Sequence, residues 1–105
     1  MRVLVVDDSD INLEVSRRIL ELQGATVALA DNGQQALERL RAEPAAFDIV
    51  LMDVQMPVLD GHDATRLIRL QPGLGRLPIV ALTAGALSSE RQRALDAGMD
   101  DFVVK

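Results

Sequence analysis

The chain alternates short apolar runs with segments whose apolar positions recur at helical spacing. Residues 3–6 form a continuous, mostly β-branched run, which is typical of a strand that is covered on both faces. The pattern predicts five such strands, at residues 3–6, 26–30, 49–52, 79–82 and 102–104. The segments between them have the spacing of helices, and turn residues such as Asn32-Gly33 and Pro72 mark where those helices begin or end.

The first predicted helix, residues 10–23, carries a single apolar stripe. Its members, at spacings of four, four and three residues, are Ile11, Val15, Ile19 and Leu22. Ser9 or Asp10 can cap the start of this helix, and Gly24 stands where a left-handed residue ends one. We therefore expect a regular amphipathic helix directly after the first strand.

Five strands separated by four helices predict a single α/β domain with a parallel sheet. Right-handed crossovers and short links favour a doubly wound sheet, and 105 residues are too few for an eightfold barrel. We find no linker, internal repeat or low-complexity stretch.

Composition excludes several classes of function. A formal charge of −5 without any basic cluster argues against a nucleic-acid surface. With no cysteine, neither disulfides nor a thiolate zinc site can form. No apolar run approaches the ~20 residues of a membrane span, and the chain does not open on a signal peptide. The cytoplasm is the expected location. Ten of the eleven basic residues are Arg, and the single Lys is Lys105.

The polar residues that follow the strands carry the candidate chemistry. Asp7 and Asp8 follow the first strand, Asp53 the third, Thr83 the fourth and Lys105 the fifth. In a parallel sheet these ends share one edge, where open α/β folds bind ligands. Two carboxylates ~4 Å apart repel by roughly 4 kcal/mol at an effective dielectric of ~20, so a cation should offset them. An oxygen-only pocket favours Mg²⁺ before Ca²⁺ or Mn²⁺.

A hydroxyl and an ammonium beside such a cation suit the binding of a phosphoryl group. The chain has no Gly-rich phosphate loop, so we expect one of its own side chains to accept that group rather than a bound nucleotide. Asp53, on the predicted central strand, is the best candidate for the nucleophile. The plain alternative is that Asp7 and Asp8 only form a helix-capping turn.

Four segments together resemble receiver domains of two-component response regulators. They are Val5-Val6-Asp7-Asp8, the run from Asp53 to Gly61, Leu82-Thr83-Ala84, and the run from Gly98 to Lys105. The resemblance extends over the whole chain, residues 1–105, in order and with the expected spacing. It implies one receiver domain with a flavodoxin-like strand order of 2-1-3-4-5.

The resemblance also implies roles for individual residues. Asp53 would be the phosphoacceptor, and would ligate Mg²⁺ together with Asp8 and the backbone carbonyl of Gln55. Asp7 would act on the metal mostly through water.

The remaining implied roles concern the phosphoryl group and the response to it. Thr83 and the backbone amide of Ala84 would hold phosphate oxygens, and Lys105 would pair with the phosphoryl charge. Thr83 and Phe102 would form the conformational switch. Many relatives carry Tyr at the position of Phe102, so a readout that uses a tyrosine hydroxyl is not available here.

The partner implied by the resemblance is a histidine kinase or a histidine phosphotransfer protein. Ser9 and Asn12 resemble the receivers attached to hybrid sensor kinases. Receivers usually continue past the position of Lys105 into a fifth helix, so we expect a chain truncated after the fifth strand. One sheet face would then be uncovered, and we expect marginal stability, a dimer through that face or a swapped arrangement.

Two other functions remain as alternatives. An aspartyl phosphatase or phosphotransferase would use a second acid two residues after its nucleophile, where this chain has Gln55. A degenerate receiver that only binds proteins would not need the acids, Thr83 and Lys105. We expect His62 to be a solvated surface group and Asp100 and Asp101 to be a solvated loop.

Overall fold

A computed structural model describes residues 1–54, 59–83 and 88–104 of the chain. Its elements are β1 (Arg2–Val6), α1 (Asp10–Leu22), β2 (Thr26–Ala30), α2 (Gly33–Ala42), β3 (Ile49–Asp53), α3 (Gly61–Arg69), β4 (Ile79–Thr83), α4 (Ser88–Asp96) and β5 (Asp101–Val104). All neighbouring strands pair in parallel, in the order β2-β1-β3-β4-β5. This confirms the predicted doubly wound α/β fold and places β3 at the centre of the sheet.

Side-chain caps fix where three of the helices begin. The Ser9 hydroxyl accepts a hydrogen bond from the backbone N–H at the start of α1, and Asn32 and Asp60 do the same for α2 and α3. Gly24 has φ +91° just after α1, the left-handed conformation that the sequence predicted there. In the described ranges, no helix combines the length and hydropathy that crossing a bilayer requires.

The two faces of the sheet differ in how well they are covered. The closed face, as we call the side packed against α2, α3 and α4, holds the larger core. That core includes Leu4, Val6, Leu37, Leu40, Val50, Met52, Ala64, Ile68, Leu74, Ile79, Ala81 and Ala94, all buried. The open face, covered in the described residues by α1, has a small buried cluster of Val3, Val5 and Leu13.

Helix α1 packs on the sheet through a side that the hydrophobic periodicity did not indicate. Leu13 is buried and Leu20 is half-buried against the open face. Counted at 100° per residue, the predicted apolar stripe lies on nearly the opposite side of the helix. Its members remain exposed, from about half for Val15 and Ile19 to 76% for Ile11 and 88% for Leu22. The predicted apolar stripe is present on α1, but it faces solvent instead of the sheet.

A cluster of hydrogen bonds around Arg69 joins the loops at the edge of the sheet where the parallel strands begin. The Arg69 guanidinium donates to the backbone oxygens of Gly98, Leu74 and Leu77 and to the Asp100 carboxylate, at 2.9 Å for that last pair. The same Asp100 oxygen accepts from the N–H of Ile79 at 2.8 Å. Asp100 is exposed, as predicted, but the sequence did not indicate that its carboxylate also pairs with Arg69 and binds the first residue of β4.

Candidate functional site

Strand pairing brings the predicted acids to one edge of the sheet. Val6 on β1 is level with Met52 on β3, so Asp7 and Asp53 follow side by side at the carboxyl ends of these strands. One carboxylate oxygen from each of Asp7, Asp8 and Asp53 lies within 4.8 Å of the other two. Asp7 and Asp53 are buried, at 2% and 5% exposure, whereas Asp8 is open to solvent. The predicted convergence of the three carboxylates is confirmed.

The start of α1 holds one of these acids in place. The backbone N–H of Ser9 donates to Asp7 Oδ1 at 2.9 Å, and the Asn12 side-chain amide donates to Oδ2 at 3.4 Å. The Ser9 hydroxyl in turn accepts from the N–H of Asn12 at 3.3 Å. From the sequence, Ser9 and Asn12 were only markers of a receiver subtype and a helix cap. In the folded chain they orient the Asp7 carboxylate.

The donor set of this cluster fits a hard divalent cation. Three carboxylates offer oxygen ligands without any sulfur or imidazole, which suits Mg²⁺ or Ca²⁺ rather than a softer metal. Two of the three acids are removed from bulk water, which increases their mutual repulsion relative to surface carboxylates. The exposed Asp8 leaves the cluster accessible from solvent.

Thr83 and Phe102 lie on neighbouring strands near this edge. Thr83 ends β4 and is buried, and its backbone is level with Val104 of β5. Phe102 is level with Ala81, two residues earlier, and packs partly buried against the core of the closed face. Because side chains two residues apart share a face, the hydroxyl and the ring lie on the same side of the sheet.

Three predicted site residues lie outside the described residues. They are Gln55, Ala84 and Lys105. Their roles as a carbonyl ligand, a phosphate-binding amide and a cationic partner therefore remain predictions.

A close backbone contact near Asp53 was not anticipated from the sequence. A Cβ atom on Gly61 would collide with the carbonyl oxygen of Asp53 and would lie 2.8 Å from Cα of Val54. The N–H of Gly61 also donates to the carbonyl of Val54 at 3.2 Å. Helix α3 can therefore start directly against the end of β3 because residue 61 has no side chain. The sequence signal was a glycine just after the cap residue Asp60.

His62 is not the solvated group that the sequence suggested. Its Nε2 atom is buried, and among the described residues it has no hydrogen-bond partner. Burial lowers the pKa of His62, and the nearby positive charge of Arg93 on α4 lowers it further. The prediction was wrong because the polar neighbours of His62 in sequence do not show how the folded chain buries part of its ring.

The fold and the site together define a class of protein. A five-stranded doubly wound sheet with an acid cluster at the carboxyl ends of β1 and β3 is an α/β domain of the flavodoxin-like order, and that cluster could hold a divalent cation. The family model described as "Response regulator receiver domain" matches residues 3–105. The chain belongs to this family, and is a receiver domain of the kind found in two-component and phosphorelay signalling.

Individual relatives support the same assignment. The chain is 47% identical to the sensor histidine kinase GacS of Pseudomonas protegens, over 99% of this chain and 12% of that protein. It is 45% identical to the two-component response regulator ORR41 of Oryza sativa subsp. japonica, over 100% of this chain and 83% of that protein. The chain thus spans about an eighth of the length of the sensor kinase that it matches.

A solved receiver domain resembles this chain closely in its fold. The receiver domain of the sensor histidine kinase PA1611 from Pseudomonas aeruginosa PAO1 superimposes with a TM-score of 0.90 at 41% identity. The match covers 99% of this chain and 84% of that one. That structure has a magnesium ion coordinated in its active site cleft. An aspartate that accepts a phosphoryl group is typical of this family.

Proposed function

We propose that Asp53 is the phosphoacceptor of this receiver domain. The observation that carries the proposal is the convergence of Asp7, Asp8 and Asp53 at the carboxyl end of the central strand. Of these three, Asp53 is the one that belongs to the central strand β3. Asp7 is already held by two hydrogen bonds from the start of α1, which suits a fixed supporting role. Asp8 is the most exposed and suits a metal ligand at the mouth of the site.

The proposed reaction transfers a phosphoryl group from a phosphohistidine to Asp53. A carboxylate oxygen attacks phosphorus, a P–O bond forms and the P–N bond of the donor breaks. The electron pair of that bond goes to the imidazole nitrogen, which takes up a proton from water. The product is an acyl phosphate on Asp53, and the dense negative charge beside it has to be offset.

The acid cluster is proposed to bind Mg²⁺. Asp8, Asp53 and the carbonyl of Gln55 would ligate the ion, and Asp7 would act mostly through water. When bound, the cation would supply positive charge against the phosphoryl oxygens. Mg²⁺ titration by calorimetry tests this: Asp8→Asn should weaken binding at least tenfold. Asp10→Asn, at the first residue of α1 and outside the cluster, is the matched control and should bind as the wild type does.

The response to acylation is assigned to Thr83, Phe102 and Lys105. Thr83 and the amide of Ala84 would take phosphate oxygens, Lys105 would pair with the phosphoryl charge, and Phe102 would follow the movement of Thr83. Lys105→Ala should still be acylated while losing the conformational response. A normal response in that variant would remove Lys105 from this role.

The partner is proposed to be a histidine kinase or a histidine phosphotransfer protein, on the cytoplasmic side. The exposed stripe of α1 starts at Ile11, in the same first turn that binds Asp7, so a donor that reaches Asp53 passes over it. The spacing of Ile11, Val15 and Leu22 matches the seam with which one helix packs on another. We propose that a helix of the donor docks there. Ile11→Ser should then slow transfer from the protein donor several-fold and leave acetyl phosphate as effective as before.

A second copy of this chain is the other proposed partner, and its surface is the open face. Half-buried or exposed apolar side chains line that face across β3, β4 and β5: Ile49, Leu51, Val80, Leu82 and Val103. Light scattering should show a dimer that Val103→Asp dissociates. A monomer at all concentrations would contradict this part of the proposal.

One experiment tests the phosphoacceptor itself. Incubation with acetyl phosphate and Mg²⁺ should add one phosphoryl group by intact mass, and hydroxylamine should remove it. Asp53→Ala should gain nothing. We also propose that the domain is not a turnover enzyme, because Gln55 stands where an aspartyl phosphatase needs its acid. Multiple-turnover release of phosphate from diverse esters would favour the phosphatase instead.

A further inference from the structure

An arginine on α4 covers the ring of Phe102. The guanidinium carbon of Arg91 lies 5.0 Å from the centroid of the ring, within the distance of a cation–π contact. Arg91 itself is exposed, and Phe102 is half-buried with its inner side against the core of the closed face. The ring is therefore held between the core of the domain on one side and a charged side chain on the other.

The ring of Phe102, which contacts Arg91, also lies close to the end of β4. Phe102 is level with Ala81, and Thr83 follows Ala81 by two residues on the same face of the sheet. The ring is thus a diagonal neighbour of Thr83 across adjacent strands, within reach of an aromatic side chain. The ring therefore contacts Arg91 of α4 and has Thr83 of the adjacent strand as a diagonal neighbour.

We propose that Arg91 is a positioning residue that holds Phe102 in its present half-buried position and so opposes the switched conformation. This inference rests on the proposed function, in which Thr83 and Phe102 respond to acylation of Asp53. A phenylalanine ring has no hydroxyl that could form a hydrogen bond with water at the surface. Burying its exposed part would therefore lower the free energy of the switched conformation. The guanidinium contact is made in one conformation and lost in the other, and such differential contacts are what shift an equilibrium.

The expected effect is modest and measurable. A cation–π contact at an exposed site corresponds to a change of about two- to five-fold in the ratio of the two conformations. Removing Arg91 should therefore raise the population of the switched form by that factor before any phosphoryl group is added. Acylation by acetyl phosphate should accelerate by the same factor if only the switched form reacts.

The ring can be observed directly, because the chain contains two phenylalanines and neither tyrosine nor tryptophan. Carbon-13 labelling of phenylalanine gives two sets of ring signals, and Phe47→Leu assigns them. Spectra of the wild type without ligand and with Mg²⁺ and beryllofluoride, a phosphoryl mimic, define the two end positions of the Phe102 signal. In the unloaded state, Arg91→Gln should move this signal toward the loaded position.

Two further variants separate stacking from charge. Arg91→Lys keeps a cation over the ring and should restore part of the wild-type position. Arg93→Gln removes the same charge from the same helix, but Arg93 approaches His62 rather than Phe102, so it should leave the signal unchanged. If Arg91→Gln and Arg93→Gln give the same Phe102 signal and the same acylation rate as the wild type, the inference is overturned.

The result also separates this inference from the function on which it rests. A wild-type chain that gains no phosphoryl group in the presence of Mg²⁺ overturns the proposed function, and this inference with it. A wild type that is acylated at Asp53 while Arg91→Gln matches it in both readouts overturns the inference alone. Acceleration in Arg91→Gln but not in Arg93→Gln supports both.

Discussion

The two faces of the sheet are formed by the same strands but differ in how completely helices cover them. On the closed face, α2, α3 and α4 bury a continuous core, and on the open face α1 buries a small cluster and leaves apolar strand residues half-exposed. The central strand shows the contrast within five residues. Val50 and Met52 are fully buried toward the closed face, whereas Ile49 and Leu51 are half-buried toward the open one.

The candidate site residues at the carboxyl edge of the sheet come from both of its faces. By the alternation along β1 and β3, Asp7 and Asp53 lie on the side of Val5 and Leu51, which is the open face. By the same alternation along β4, Thr83 lies on the closed face. The acids therefore lie on the less covered face, where Asp8 opens the cluster to solvent, and Thr83 and Phe102 lie against the packed core.

The largest expected effect comes from deleting a core side chain on the closed face. Ile68 on α3 is fully buried, so Ile68→Ala should lower the free energy of unfolding by about 2–5 kcal/mol. Leu20→Ala on α1 removes a half-buried side chain, so it should cost less than half as much. Urea denaturation of both variants measures the difference. Equal losses would show that the open face is as well packed as the closed one.

A smaller effect should follow from filling the contact behind Asp53. Gly61→Ala places a methyl group against the end of β3, and overpacking of this kind costs about 1–3 kcal/mol. Because the carbonyl of Asp53 has to shift, acylation by acetyl phosphate should slow as well. Gly75→Ala is the matched control, since nothing lies within 4 Å of a Cβ there. A Gly61→Ala variant with wild-type stability and rate would show that the contact relaxes freely.

The fold was largely predictable from the sequence because its elements have strong signals. The five apolar runs, the cap at Ser9, the helix start at Asn32-Gly33 and the left-handed Gly24 all appear where the pattern placed them. Helix α1 is the exception. Hydrophobic periodicity reports which positions share a side, but it does not report which side the sheet takes. Here the larger apolar set faces solvent, and Leu13 and Leu20 make the contact.

The site was predictable to the extent that it depends on strand ends. Asp7, Asp8 and Asp53 converge because parallel strands end at a common edge, and topology alone carries that conclusion. The contacts that hold these strand ends and loops in place form between segments that are remote in sequence. The approach of Gly61 to Asp53 and the pairing of Arg69 with Asp100 across 31 positions leave no local pattern to recognise.

A smaller, pH-dependent effect is expected from His62 on the closed face. Its pKa lies below the ordinary 6.5 because of burial first and Arg93 second; Arg66 lowers it further, and Asp60 and Asp63 partly oppose the shift. Below about pH 6.5 the unfolded chain therefore binds more protons at this residue than the folded chain does, so stability falls as the pH drops.

The contribution of His62 to the free energy of unfolding is complete above its pKa in the unfolded chain. It is lost as the pH falls toward its pKa in the folded chain. His62→Gln should flatten that part of the stability profile, measured by urea denaturation between pH 7.5 and pH 5. Since His62 is the single histidine, its NMR titration reports the folded pKa without overlap. A titration at or above the ordinary value would contradict both the burial and the predicted slope.

The smallest effect should come from the apolar stripe of α1, although its residues are as hydrophobic as any in the core. Leu22 is 88% exposed, so Leu22→Ser removes almost no buried surface, and unfolding free energy should change by no more than about 0.5 kcal/mol. Leu37→Ser, at a buried position on α2, is the matched substitution and should be strongly destabilising. If Leu22→Ser also destabilised the chain substantially, the stripe would be covered in solution rather than available to a partner.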